Sequence, residues 1–331
     1  MILHPGMLAL LAASLIIAAM ALGGAGLGYQ ILRRWDPTSG SELQLILERR
    51  TTLVSTLLAW AFGLEFLSLF LFAGVADSLH SQFVGAMCAA GVLNASATGY
   101  PLLILKMANV LLAGSWLIVN HADTRATDYP LIRAKYVTLL VAAPLLIAEA
   151  VLLVLFAGAL KPHVITSCCG SLFSSQTETM VGEMASFPFR PMAIVFLVSL
   201  GAVLAAGWHT WKTAKGGILL ALLSFAAFIV VLASILSWVG PYVYELPTHH
   251  CPFCLLQREY HFIGYPLYGL LFAATVSGMG AGILVPAKRK PSLKMIVPGL
   301  QRSCAAASVV LYGLLFLLIA ALVATSNLKL L

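Results

Sequence analysis

Residues 248–268 read THHCPFCLLQREYHFIGYPLY. Cys251 and Cys254 form a C-x-x-C pair, His249 and His250 precede it, and Arg258 follows. Such a pair serves metal binding, redox exchange or a structural loop. Zinc takes four ligands; His249, His250, Cys251 and Cys254 supply that number, although adjacent histidines rarely reach one ion together. Copper(I), which favours thiolates, suits the set better. For redox exchange, a membrane helix beginning at the pair would offer unpaired N–H groups and partial positive charge. Arg258 then falls about one helical turn beyond Cys254, on the same face. Both effects stabilise a thiolate, the reactive form. His249, His250 and His261 are candidate proton carriers, the ordinary alternative being solvated loop histidines.

Three further cysteines belong to the same chemistry. ITSCCGSLFSS (165–175) sets Cys168 beside Cys169, and Cys88 lies in an earlier loop. A disulfide between neighbours is strained and easily reduced, which suits a transferable disulfide. In the alternative arrangement each pairs elsewhere, one of them with Cys88. The plainer reading of all these cysteines is that they staple loops.

The elements that must position them are membrane helices. The chain of 331 residues is 61% hydrophobic and only 9% charged, with a mean hydropathy of +0.98. A soluble domain would carry far more charge. Crossing the hydrocarbon takes about 20 mostly apolar residues, and eight segments qualify: 7–28, 53–76, 101–119, 136–160, 192–211, 217–239, 262–286 and 305–325. No alternating barrel pattern competes, so the fold expected is an all-α, polytopic bundle of eight transmembrane helices. The first segment lacks a basic residue before it and has Arg33 and Arg34 after it. That is the reverse of a signal peptide and marks a retained helix with its N-terminus outside.

Charge sets the orientation. With an outside start, 14 of the 19 basic residues fall on the inner side, among them Arg33, Arg34, Arg49, Arg50, Lys135, Lys212 and Lys288. By the positive-inside rule both termini are then outside. The net charge of +7 reports orientation, and no nucleic-acid partner is expected. Cys88, Cys168, Cys169, Cys251 and Cys254 all face outward, where disulfide chemistry belongs; Cys304 alone does not. Their odd number leaves one thiol unpaired, which suits exchange.

GYPLLILK (99–106) and GYPLYGLL (264–271) each open a span after a cysteine loop. They suggest two four-helix halves, 1–160 with Cys88 and 161–331 with the other cysteine loops. Tyr and Pro at helix starts also occur as interfacial punctuation. Within the spans, Glu65 and Glu149 are costly mid-membrane carboxylates, and so candidate proton carriers or simply protonated, hydrogen-bonded groups. Lys106 is expected to snorkel to the outer surface. Haem is not called for, since all eight histidines lie in loops or near helix ends.

Cys251-Pro-Phe-Cys254-Leu-Leu-Gln257-Arg258 resembles the C-x-x-C-[IL]-x-[EQ]-R pattern of the DsbB family. These are the quinone-coupled disulfide-generating proteins of bacterial inner membranes, relatives of the vitamin K epoxide reductases. The resemblance covers about eight residues. It implies that Cys254 contacts a quinone (ubiquinone or menaquinone) and that Arg258 helps to bind it; Gln257, within the motif, and His261, a candidate proton carrier nearby, are expected to belong to the same cofactor site. Cys251 would exchange with cysteines of another outer loop, here the upstream Cys168, Cys169 and Cys88.

The expectation is a multi-pass thiol–disulfide oxidoreductase of a bacterial inner (plasma) membrane. Its catalytic cysteines are Cys251, Cys254, Cys168, Cys169 and Cys88, its loops face the periplasm, and its partners are membrane lipid, quinone and a periplasmic thioredoxin-like thiol protein. Two rivals stand beside it: a copper- or haem-handling membrane protein, and a non-catalytic membrane subunit of a respiratory complex.

Overall fold

A computed structural model describes residues 2–36, 39–161, 166 and 189–328. The fold is all-α, and among the described residues eight helices are long and apolar enough to cross a membrane. The helices are α1 (Pro5–Arg34), α2 (Glu42–Ser78), the short α3 (Ala89–Asn94), α4 (Gly99–Asp123) and α5 (Ile132–Ala159). After them come α6 (Phe189–Thr213), α7 (Gly217–Ser234), α8 (Gly240–Tyr244), α9 (Gly264–Ile283) and α10 (Val297–Thr325). A π-helical turn, Ile235–Val239, joins α7 to α8 and makes them one span. Large apolar side chains such as Trp60, Val198, Leu222 and Leu317 point outward, as an acyl-chain solvent requires.

The helices overrun the apolar segments read from sequence. The apolar stretch 53–76 sits within α2, which begins at Glu42. Hydropathy registers only the part of a helix that meets hydrocarbon, and the polar turns through Arg49 and Arg50 extend beyond it.

The chain divides into two compact units. The first comprises Met1–Phe72, Ser96–Lys161 and Pro286–Pro298. Its core includes Ile17, Leu58, Phe62, Trp116, Tyr136 and Leu139, with Phe62 and Trp116 edge to face at 5.0 Å. Lys135, expected among the inner loop charges, is buried on α5, where its ammonium lies 3.0 Å from Asp123.

The second unit comprises Ala73–Ala95, Pro162–Val285 and Gly299–Leu331, so the Cys88 segment belongs with it. Here α7 and α9 pack closely through small residues, as membrane helices do. A Cβ on Gly282 would stand 2.9 Å from the Gly217 carbonyl oxygen, and one on Gly278 2.7 Å from Ser224 Cβ. Tyr312 of α10 ties this pair together, its hydroxyl donating to the Ser224 carbonyl and lying 3.0 Å from Thr275 Oγ1.

Candidate functional site

The Cys88 turn is built by Asp77, at the end of α2. Its Oδ1 accepts from the backbone N–H of Ala89 at 3.2 Å and from Gln257 Nε2 at 2.9 Å. Its carbonyl bonds to His80 Nδ1. These contacts bend the chain after α2 and place Cys88, in extended conformation, just before α3. Thr166 fastens the same turn, its N–H donating to the Val84 carbonyl at 3.0 Å and its hydroxyl to that of Gly91 at 2.8 Å. Gly85 sits between them at φ +86°, where a side chain would also strike the Thr166 carbonyl.

The CPFC segment is fixed by side chains that grip its backbone. Tyr244 donates its hydroxyl to the Cys251 carbonyl, and Tyr268 donates to that of Pro252 at 2.9 Å. His250 Nδ1 lies 2.8 Å from the Leu236 carbonyl; facing an acceptor, it must carry the proton. Gln257 donates to Asp77 and, at 3.0 Å, to the Met87 carbonyl, which ties the segment to the Cys88 turn.

A membrane helix beginning at the C-x-x-C is not what these contacts allow. Cys254–Leu256 and Arg258–Tyr260 are separate 3₁₀ turns, with Gln257 extended between them. His261 and Phe262 follow at φ +54° and +55°, and α9 starts only at Gly264. Gln257 is held out of helix by its side-chain anchors, so Arg258 does not share a helical face with Cys254. Arg258 and His261 are exposed. Cys168 and Cys169 lie outside the described residues.

The result is a buried cluster of three thiols. Cys88 and Cys251, separated by 163 residues in the chain, place their sulfurs 3.3 Å apart. All three sulfurs of Cys88, Cys251 and Cys254 lie within 4.8 Å of one another. Their exposures are 1%, 3% and 5%, and all three are free thiols.

Their protonation is unequal for a local reason. Hydrogen bonds from Cys254 first, and then from Cys88, hold the Cys251 thiol well below the usual range against the opposing effect of burial. Bonding to Cys251 correspondingly pushes Cys88 up to about 11, and Cys254 also up. Cys251 is therefore the thiolate of the cluster, stabilised first by the neighbouring thiols and further by the backbone N–H groups of Phe253 and Cys254. Burial lowers His249 and keeps its imidazole neutral; its ring packs edge-on against Tyr244 at 4.3 Å.

Gln257, expected at the cofactor site, joins the two loops. Sequence reasoning missed Asp77, Tyr244 and Tyr268, and the only signals for them were a lone acid near the end of a span and tyrosines flanking the cysteine loop. Arg258 and His261 are exposed nitrogen-bearing side chains beside the buried, apolar Leu255 and Leu256. The N–H groups of Arg258 and His261 suit the carbonyls of a quinone, whereas Leu255 and Leu256, at 0% and 5% exposure, present it no open apolar surface.

No family model matches the chain, and neither a curated protein nor a solved structure matches it.

Proposed function

We propose that this protein exchanges electrons between periplasmic thiols and a membrane quinone through Cys251 and Cys254, with Cys88 as the third thiol of the relay. The observation that carries this reading is the 3.3 Å approach of Cys88 to Cys251 beside Cys254. Three sulfurs within exchange distance, one of them a thiolate, are what disulfide transfer requires.

Cys251 thiolate attacks a disulfide at Cys88, forming Cys88–Cys251 and releasing the other sulfur as a thiolate. Cys254 then attacks Cys251, forming Cys251–Cys254 and returning Cys88 as a thiol with the proton that Cys254 gives up. In this direction the oxidised Cys251–Cys254 pair needs two electrons and two protons, which a bound quinol would supply; in the reverse direction a bound quinone would accept them. Arg258 and His261 are the residues to hold its polar end. Run backwards, the same exchanges carry electrons the other way, the direction being set by the potentials at the two ends.

Burial of the cluster excludes direct contact with a bulky protein thiol. The sequence's candidates for the outer step are Cys168 and Cys169, exchanging with a thioredoxin-like protein. Thr166, two residues before Cys168, is anchored beside the Cys88 turn. The distribution of basic residues supports an orientation with this end of the bundle, and both termini, on the periplasmic side.

The test is differential thiol trapping on membranes before and after addition of an oxidised quinone analogue. The reduced Cys251–Cys254 pair is expected to become oxidised, and to do so poorly in an Arg258→Ala variant. A pair inert to quinone and quinol alike would end this reading.

The mutual proximity of the three sulfurs also favours a second reading, a copper(I) site with three thiolate ligands. It requires copper that stays with the purified protein and is lost in a Cys251→Ser variant.

A further inference from the structure

The first unit holds a buried polar group that the thiol relay does not use. Lys106 of α4 is fully buried, and therefore does not snorkel as its sequence position suggested. Its ammonium lies 2.6 Å from Glu149 Oε1 on α5, 2.8 Å from Ser68 Oγ on α2 and 3.8 Å from Glu65 Oε1 on α2. Asn109, also on α4, donates to Glu149 Oε2 at 2.6 Å. Glu65 and Glu149 are 0% and 1% exposed. Helix α1, which packs on α5, has no titratable side chain between Pro5 and Gly28.

The charges do not cancel if every group is ionised. One ammonium faces two carboxylates, leaving one uncompensated negative charge in a span, where such charge is costly. Protonating both carboxylates leaves an uncompensated positive charge instead. Only one arrangement with a charged lysine is neutral: one carboxylate and one carboxylic acid.

The geometry says which is which. Both oxygens of Glu149 accept short bonds, one from an ammonium and one from an amide, as a carboxylate's do. Glu65 is held more loosely: Ser68 Oγ reaches its Oε2 only at 3.4 Å, and its carboxyl also meets that of Glu149. Glu65 Oε1 is buried with no hydrogen-bond partner.

We propose that Glu65, Lys106 and Glu149 form a one-proton intramembrane site. Glu65 carries the proton, taken from water, and Glu149 is the fixed counter-ion of Lys106. Loss of that proton leaves the group with unbalanced negative charge, so release is coupled to a rearrangement around α2, α4 and α5.

The experiment is infrared spectroscopy of the full-length protein in lipid vesicles at neutral pH, comparing the carbonyl band of buried carboxylic acid among variants. The Glu65→Gln variant, a neutral isostere, is expected to lose the band. Glu149→Gln should lose it as well, because Lys106 then draws Glu65 into the ionised form. Lys106→Met should roughly double it, since both carboxyls then become neutral to avoid burying charge. A spectrum unchanged by Glu65→Gln, or a band unchanged by Lys106→Met in protein whose helical circular dichroism is intact, overturns the assignment. Transfer to heavy water should shift the wild-type band, and a band that never shifts rules out exchange with water.

Discussion

Cys88 and Cys251 stand sulfur to sulfur at 3.3 Å, although 163 residues separate them in the chain. A disulfide bond is about 2.05 Å long, so closing the pair needs little more than a side-chain adjustment. In a Cys254→Ser variant the resolving thiol is gone, and a Cys88–Cys251 disulfide is expected to accumulate under mild oxidation. Peptide mapping by mass spectrometry reads it directly. Recovery of Cys88 and Cys251 without any bond between them would contradict a relay through Cys88.

The unequal thiols predict a pH profile. A free cysteine titrates near 8.5, and Cys251 is held below its usual range by its neighbours' hydrogen bonds. Its thiolate therefore persists as pH falls from 8 toward acid, and is lost only on passing its depressed value. Cys88, pushed up to about 11, stays a thiol throughout that range. Alkylation by a small permeant reagent should mark Cys251 first and remain nearly level between neutral and mildly acid pH. A rate that falls tenfold per unit below pH 8 would mean that Cys251 titrates as an ordinary thiol.

Gln257 joins the CPFC segment to the Cys88 turn by two hydrogen bonds, to Asp77 Oδ1 and the Met87 carbonyl. Neither bond is fully buried, so each is worth about 0.5–1.5 kcal/mol. Gln257→Ala should lower the yield of the Cys88–Cys251 disulfide in the Cys254→Ser background. Gln257→Glu should lower it further, because a carboxylate there faces Asp77. Crosslink yields equal to the parent's in both variants would remove Gln257 from any positioning role.

The α7–α9 contact gives a test that leaves the thiols alone. Gly282→Leu would force a side chain against the Gly217 carbonyl and Ala221, and overpacking of this kind costs about 1–3 kcal/mol or more. Gly269→Ala, on the same helix but with nothing within 4 Å of the added carbon, should leave stability intact. Thermal unfolding in detergent compares the two.

The bundle was legible from sequence because runs such as 136–160 and 217–239 are uniform enough that length alone identifies them. The C-x-x-C stood out in the sequence, but its structural setting did not. The helix expected at Cys254 is interrupted because Gln257 answers to Asp77, 180 residues away, and no local pattern records such a contact. The meeting of Cys88 with Cys251 was hidden for the same reason. Lys106 looked like a snorkelling residue because its position near a helix start was visible and its partners Glu149 and Ser68, on other helices, were not. Tyr244 and Tyr268 carry no local signal of their role, and only the fold reveals that their hydroxyls hold the backbone of the cysteine loop.

The π-helical turn at Ile235–Val239 inserts itself between a lipid-spanning helix and the hydroxyl that grips Cys251. An α-helix advances about 100° per residue, and a π turn accommodates one residue more than the regular helix would. It therefore acts as a phase shifter, with α7 free to keep its apolar faces in one rotational register while α8 presents Tyr244 in another. Deleting a single residue within 235–239 would keep the span long enough to cross the membrane, yet swing Tyr244 away from the Cys251 carbonyl. The angular setting of the thiolate is thus encoded in the spacing of a membrane helix rather than in the loop that carries it.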